Sequence, residues 1–201
     1  METWSNRKYF RERFDAQDLS EIRIEEAHFE ECIFQGVRAS EAILRKCTFV
    51  HCQFTGVQMN ASQHVGNAFL NCRFYMTNLF TSIFNECKMT GTEFVECNVG
   101  GIQIQAGDWS YTNLSYLDLH KLDLRDISFK EANLYQCNLT GAKLNRCDLT
   151  RAILDKAELA GADLREACLD GVDLKSLNLK GVKLDFGQAL DFTKSFGIIV
   201  E

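Results

Sequence analysis

Large apolar residues recur along this chain at every fifth position. Phe14, Leu19, Ile24, Phe29 and Phe34 open the series, which continues through Leu44, Phe49 and Phe54 to Leu184 without slipping. Of the 35 positions in this register, 27 are Leu or Phe, and Ile24, Met59, Met89, Val99 and Ile104 raise the large apolar total to 32. Ala39, His64 and Trp109 are the exceptions. A period of five fits neither regular element. In an α-helix, which advances about 100° per residue, five-step neighbours spread around the whole cylinder. In a flat strand an odd spacing sends successive large residues to opposite faces. A chain that turns a corner about once per repeat, so that each side presents its central residue inward, gathers all of them into one interior. The pattern therefore predicts a β-solenoid.

The flanking positions agree. Two residues before the centre, most repeats carry a small or modest apolar side chain, such as Ala27, Cys32, Val37, Ala42, Cys47 and Cys52, then Ala142, Cys147, Ala152, Ala157, Ala162 and Ala167. This is a second inward slot. Two residues after the centre sit nine of the 13 glycines, as expected at corners with positive φ. The residue just before the centre is often Asp or Asn, whose short side chain bonds local backbone at a turn.

Segments such as Ala142-Lys143-Leu144, Ala162-Asp163-Leu164 and Val172-Asp173-Leu174 resemble the A(D/N)LXX motif of the pentapeptide-repeat family over about residues 12 to 186. The resemblance implies an all-β, right-handed quadrilateral β-helix with four repeats per coil. The register then makes about nine coils and a shaft roughly 40 Å long at the inter-strand spacing. The expected organisation is an N-terminal cap over 1–13, the β-helix over 14–186, and a C-terminal helix and tail over 187–201. Phe is frequent at the centres before Phe94 and Leu nearly universal from Leu114 onward, so a change of coil width or turn type is expected near residues 99 to 111. The irregular runs around His64 and from Gly100 to Tyr111 are candidate outward bulges that keep the count of five.

Composition narrows the function. With 22 basic and 28 acidic residues the net charge is −6, which argues against electrostatic binding to nucleic acid or an anionic membrane. The chain opens on no basic, apolar leader, and no run approaches the roughly 20 apolar residues of a membrane span, so a cytoplasmic location is expected. There is no Pro, hence no Pro-rich linker.

Nine cysteines invite a metal or disulfide reading. Eight of them, Cys32, Cys47, Cys52, Cys72, Cys87, Cys97, Cys137 and Cys147, occupy the small inward slot, and Cys168 is displaced by one. Stacked in lines they do not supply four converging zinc ligands, and they are expected to pack as small hydrophobes. His64 replaces a central apolar residue and is expected as a hydrogen-bonded core histidine or a local distortion. His28, His51 and His120 pair with no Ser, Cys or carboxylate at a useful spacing, and the glycines are spaced as corners rather than as a phosphate loop. A binding protein without cofactor or metal is expected rather than an enzyme.

After Asp185 the repeat stops. Ala189, Phe192 and Phe196 lie at helical spacing with Gly197 as a C-cap, which predicts a short helix followed by the apolar tail Ile198-Ile199-Val200. Helix and tail either cover the open sheet edge of their own coil or pack against a second copy. Dimerisation through Phe192, Phe196, Ile198, Ile199 and Val200 is the expectation. The stretch from Leu179 to Asp185, the helix containing Gln188-Ala189, and Phe196 to Val200 together resemble the C-terminus of the Qnr-type quinolone-resistance proteins and of related self-immunity proteins. That resemblance implies a two-fold dimer that mimics the shape and charge of duplex DNA. It further implies engagement of DNA gyrase or topoisomerase IV, type II topoisomerases, and relief of their inhibition by drugs or toxins. Many such proteins carry loops that break the register, whereas here it holds from Phe14 to Leu184.

Stacking at 20 residues per coil places Glu86, Asp126 and Glu166 on one wall, with Asp118, Asp123, Glu158 and Asp163 on it or its neighbour. Arg125, Arg146 and Arg165 interrupt this candidate partner-binding acidic wall, leaving open a DNA-like stripe or a mixed solvated face. Residues 47 to 85 contain no Asp or Glu. Tyr75, Met76, Phe80, Tyr116 and Tyr135 form a candidate exposed apolar patch, through which an adaptor solenoid would bind an unrelated protein.

Overall fold

The chain returns to the same side of a four-walled tube every 20 residues. In the computed structural model, which describes residues 4–199, Lys8 pairs with His28, Thr48 with Ala68, Arg13 with Ile33, and Ile43 with Gln63, all in parallel register. Short strands such as Lys8–Phe10, His28–Glu30 and Thr48–Val50 form one wall, and Arg13–Asp15, Ile33–Gln35 and Gln53–Thr55 form the next. The fold is the parallel β-solenoid expected from the repeat.

The corners follow from that register. From Phe14 to Leu169 the residue two after each centre has positive φ whatever its identity: Glu26 at 54°, Glu31 at 53° and Lys46 at 51° adopt the conformation Gly36 shows at 60°. This backbone turns each corner N–H up the shaft, as when Glu31 donates to the carbonyl of Val50 at 2.9 Å. Each left-handed L-residue costs roughly 1–2 kcal/mol, and the bond it gains to the coil above offsets part of that.

Inside, like stacks on like. Phe29, Phe49 and Phe69 lie with ring centroids 4.8 and 4.7 Å apart and planes 3° from parallel. Phe34, Phe54, Phe74 and Phe94 form a second ladder at 4.9, 4.6 and 5.0 Å. These distances are the inter-strand spacing, so rings stack because backbones do. Trp4 covers the N-terminal end against Phe14 at 5.0 Å, and Trp109 closes the Phe ladders by stacking on Phe94 at 5.7 Å.

The second inward slot holds more than small hydrophobes. Ser62, Asn67, Thr77, Ser82, Thr92 and Thr112 are buried there too. Thr77 Oγ1 donates to Phe54 O at 3.0 Å, Thr92 Oγ1 to Phe69 O at 2.9 Å, and Cys52 Sγ to Phe29 O at 3.4 Å. Each acceptor is the central residue of the coil beneath. The slot is filled by a small donor, and Cys, Ser and Thr are interchangeable in it. The cysteines are all free, and burial pushes the Cys87 thiol up to about 11 and those of Cys137 and Cys147 to about 12.

The expected change near residues 99 to 111 is present. Continuous strands end with Gln103–Asp108, and beyond it the walls are joined by isolated bridges such as Asn113↔Asn133 and Asp148↔Cys168. Gly107 marks the transition: its φ is 114°, and a Cβ there would run into the Cys87 carbonyl oxygen. The five-residue count survives, and neither irregular run bulges as a loop.

At this transition two walls come apart. Asn98 does not bridge to Asp118, nor Gln103 to Asp123, although Asn78↔Asn98, Asp118↔Asn138 and Asp123↔Lys143 continue on either side. The N–H groups of Glu96, Val99, Gly101, Ile104 and Ala106 find no carbonyl in the coil above. The other two walls stay closed, through Phe94 N–H to Asn113 O at 3.0 Å and Trp109 N–H to Ser128 O at 2.8 Å.

The last coil is irregular, with a 3₁₀ turn at Leu174–Ser176 before the helix Phe186–Ser195. The helix begins on an Asp185/Gln188 capping box, and Gln188 Nε2 donates to Leu164 O and Ala167 O at 2.6 and 2.8 Å, tying it to the shaft. It ends as predicted at Gly197, whose N–H donates to Lys194 O while Ile198 N–H donates to Thr193 O.

His64 is a hydrogen-bonded core residue: wholly buried, stacked on Phe84 at 4.5 Å, with Nε2 2.9 Å from Ser62 Oγ and Nδ1 unpartnered. Burial holds its pKa down at about 3, against an ordinary 6.5. The unfolded chain therefore binds the proton first. Stability from this site is complete above pH 6.5 and falls by roughly 1.4 kcal/mol per pH unit below it. His64→Phe, matching Phe84 beside it, is expected to be at least as stable at pH 7. Its advantage over the native chain should grow by about 2 kcal/mol by pH 5 in urea unfolding. An advantage independent of pH would show that His64 is not buried neutral.

Candidate interaction surfaces

Each column of the surface inherits the 20-residue register. Glu86, Asp126 and Glu166 share one corner, with Ala106 and Arg146 between them. Asp118 and Glu158 flank Asn138 in a second column, bridged Asp118↔Asn138 and Asn138↔Glu158. Asp123 and Asp163 flank Lys143 in a third.

The aspartates are largely matched by cations. Asp123 accepts from Arg125 Nε and Nη2 at 2.6 and 2.7 Å and from Lys143 at 3.3 Å, which holds its carboxyl down at about 2. Arg146 grips Asp126 at 2.7 and 2.8 Å and lowers its pKa. Asp163 is buried and accepts from Arg165 at 2.6 and 2.8 Å and from Asn145 at 2.9 Å, so its carboxyl lies far below the usual range. Asp118 faces His120 Nδ1 at 2.8 Å, so this outward histidine does meet a carboxylate, contrary to expectation, because residues two apart come within side-chain reach. Glu86, Glu158 and Glu166 are exposed and make no ion pair among the described residues. The wall is a chequered surface with three uncompensated glutamates rather than a continuous acidic stripe. The arginines interrupt it because an Arg two residues after an Asp, or one coil above it, reaches that Asp directly.

Met76, Phe80 and Tyr116 are exposed, Tyr116 at 69% the most, while Tyr75 and Tyr135 are half-buried. Tyr116 meets Tyr135 edge to face at 5.6 Å, and Lys156 donates to the Tyr135 hydroxyl at 3.0 Å. Phe80 lies over Gly100, where even a Cβ would approach its ring to 3.2 Å. Tyr116 stands on the upper lip of the seam where the two walls separate, and Phe80, one coil beneath the lower lip, covers its Gly100. Two hollows of about 310 and 440 Å³, both lined by Cys97, Tyr116 and Leu117, occupy the seam, and a third of about 170 Å³ lies between Gln103 and Asp123.

This seam was not read from the residues, but its signal is there. At the open walls the small inward slot is filled by the large side chains of Leu117 and Leu122, whereas Ile102 and Ile127 sit in the same slot with their walls bonded to the coil beneath. The same substitution recurs at Val172, Leu177 and Val182, beside the irregular last coil.

At the C-terminal end the inward positions Leu174, Leu179 and Leu184 remain half-exposed, so the shaft presents an apolar face there. Phe192 is half-buried against Phe196 at 5.1 Å, and Phe196, Ile198 and Ile199 are exposed, Ile199 at 84%. Val200 lies outside the described residues. Among those residues no group of His, Cys, Asp or Glu is placed to hold a metal, and no helix is long and apolar enough to cross a membrane.

Family models for a pentapeptide repeat region and for pentapeptide repeats match residues 77–154 and 142–181, and one for the SV2A/B/C luminal domain matches residues 2–74. The pentapeptide repeat protein MfpA of Mycobacterium tuberculosis is 32% identical over 122 residues, 61% of this chain and 56% of MfpA. The match thus spans little more than half of that relative. Among solved structures, full-length QnrB1, described as a plasmid-mediated fluoroquinolone resistance protein, superposes with a TM-score of 0.50 at 20% identity, covering 95% of this chain and 100% of QnrB1. HetL, described as a pentapeptide repeat protein involved in heterocyst differentiation regulation in Nostoc, gives 0.47 at 20% identity over 90% of this chain and 87% of its own.

Proposed function

Because the chain belongs to the pentapeptide-repeat family, we propose that it is a dimeric, DNA-like rod that binds DNA gyrase or topoisomerase IV and relieves inhibition of the enzyme. The similarity to MfpA over 122 residues carries this reading. A rigid shaft of net charge −6, with Glu86, Glu158 and Glu166 unpaired on its surface, supports it. QnrB1 contributes the likeness of fold alone. We propose no catalytic role: the buried hydroxyls and most buried thiols bond the fold's own carbonyls, and the paired aspartates serve its own arginines. The cytoplasm, where topoisomerases act, is the compartment this reading requires.

Gyrase supercoiling with and without a quinolone tests it. The protein should restore supercoiling under the drug or inhibit it alone, and Glu86→Lys/Glu158→Lys/Glu166→Lys should be about tenfold less potent. No effect at large molar excess would reject the reading and favour an adaptor for another protein.

The dimer rests on the half-exposed Leu174, Leu179 and Leu184 beside exposed Phe196, Ile198 and Ile199, an apolar end that a second copy would bury. Sedimentation should give the mass of two chains for the native protein and of one chain for Ile198→Asp/Ile199→Asp. A single-chain mass for the native protein would exclude it.

A further inference from the structure

We propose that the seam between the coils is a strand-acceptor site, which takes up an extended segment of a protein partner between the two separated walls. Its lower lip offers the free N–H groups of Glu96, Val99, Gly101 and Ile104, and its upper lip those of Asp118 and Asp123. Carbonyls alternate with them along both edges. One coil earlier the equivalent groups pair at ordinary strand distances, as Leu79 N–H to Asn98 O and Thr81 N–H to Gly100 O, both 2.8 Å. Donors and acceptors alternating at strand spacing are matched by another polypeptide backbone, and by neither a lipid nor a nucleic acid.

The side chains suit the same occupant. Cys97 and Leu122, in slots whose other residues are mostly buried, are half-exposed and form an apolar floor. Tyr116 lines both hollows, exposed Phe80 backs the lower lip beneath Gly100, and the hollows of about 310 and 440 Å³ have room for side chains of a guest strand. A segment of alternating apolar residues would present one face to Cys97 and Leu122 and the other to the two aromatics. Glu96 and Asp118 at the mouth disfavour an acidic one. The seam lies where Leu117 and Leu122 fill the inward slot, which in the neighbouring coils above holds Cys137 and Ala142. It needs no DNA-like surface, so it stands apart from the topoisomerase reading.

The test is hydrogen exchange on the full-length protein, first alone and then with peptides selected from a random 12-residue display library. Alone, the amides of Val99, Gly101 and Ile104 should exchange about a thousandfold faster than those of Leu79 and Leu119. Selected peptides should slow those amides, and Phe80→Ala/Tyr116→Ala should weaken their binding by about tenfold at unchanged melting temperature. Leu117→Ala/Leu122→Ala, which places small residues in those slots, should protect the same amides without peptide. Slow exchange in the free native protein would overturn the proposal, as would a library yielding no binder or binders that protect other regions. Retained activity of Phe80→Ala/Tyr116→Ala in the supercoiling assay would separate this site from the acidic surface.

Discussion

The structure depends on one interaction, the backbone hydrogen bond from each coil to the coil 20 residues above it. Corner N–H groups such as Glu31 donate upward, and N–H groups such as His28 donate downward to Arg7 O at 2.8 Å, so each wall is a parallel ladder. Once this register is set, every residue meets its own column. Phe stacks on Phe because the backbone spacing suits an aromatic pair, and the corners take positive φ even at Glu and Lys because their N–H must point along the shaft.

The same constraint gives a different meaning to residues that look reactive. A thiol or hydroxyl in the inward slot sits beside the carbonyl of the coil beneath, and the distances from Cys52 to Phe29 O and from Thr77 to Phe54 O show that it is used there. On the outside, an Asp in one column meets an Arg two residues along or one coil above, as at Asp123 with Arg125 and Asp126 with Arg146. On this wall the carboxylates left without an ion pair are Glu86, Glu158 and Glu166, and a partner that reads the charge of this wall must read those.

The solenoid, its register and its buried cysteines were legible because a strict period leaves only one way to bury the centres. The helix was legible from Ala189, Phe192 and Phe196, although its capping box starts it at Phe186, a residue earlier than the repeat boundary suggested. Less was legible wherever two columns interact. Glu86, Asp126 and Glu166 share a corner as expected, but whether Asp126 is free or gripped by Arg146 depends on side-chain reach. The seam escaped notice because the large residues at the centres stay in register through it, and the disturbance lies in the small slot, at Leu117 and Leu122. At Leu117 and Leu122 the ladder opens without breaking the count.

A rod whose columns are fixed by its backbone presents a rigid, pre-formed surface, which suits recognition in place of a stiff duplex and costs little ordering on binding. The most direct measurement is displacement of a labelled DNA duplex from gyrase, followed by fluorescence anisotropy as the protein is added. The account predicts full displacement, with a midpoint that rises in proportion to duplex concentration, as for two ligands sharing one surface. A duplex that stays bound at saturating protein would contradict it.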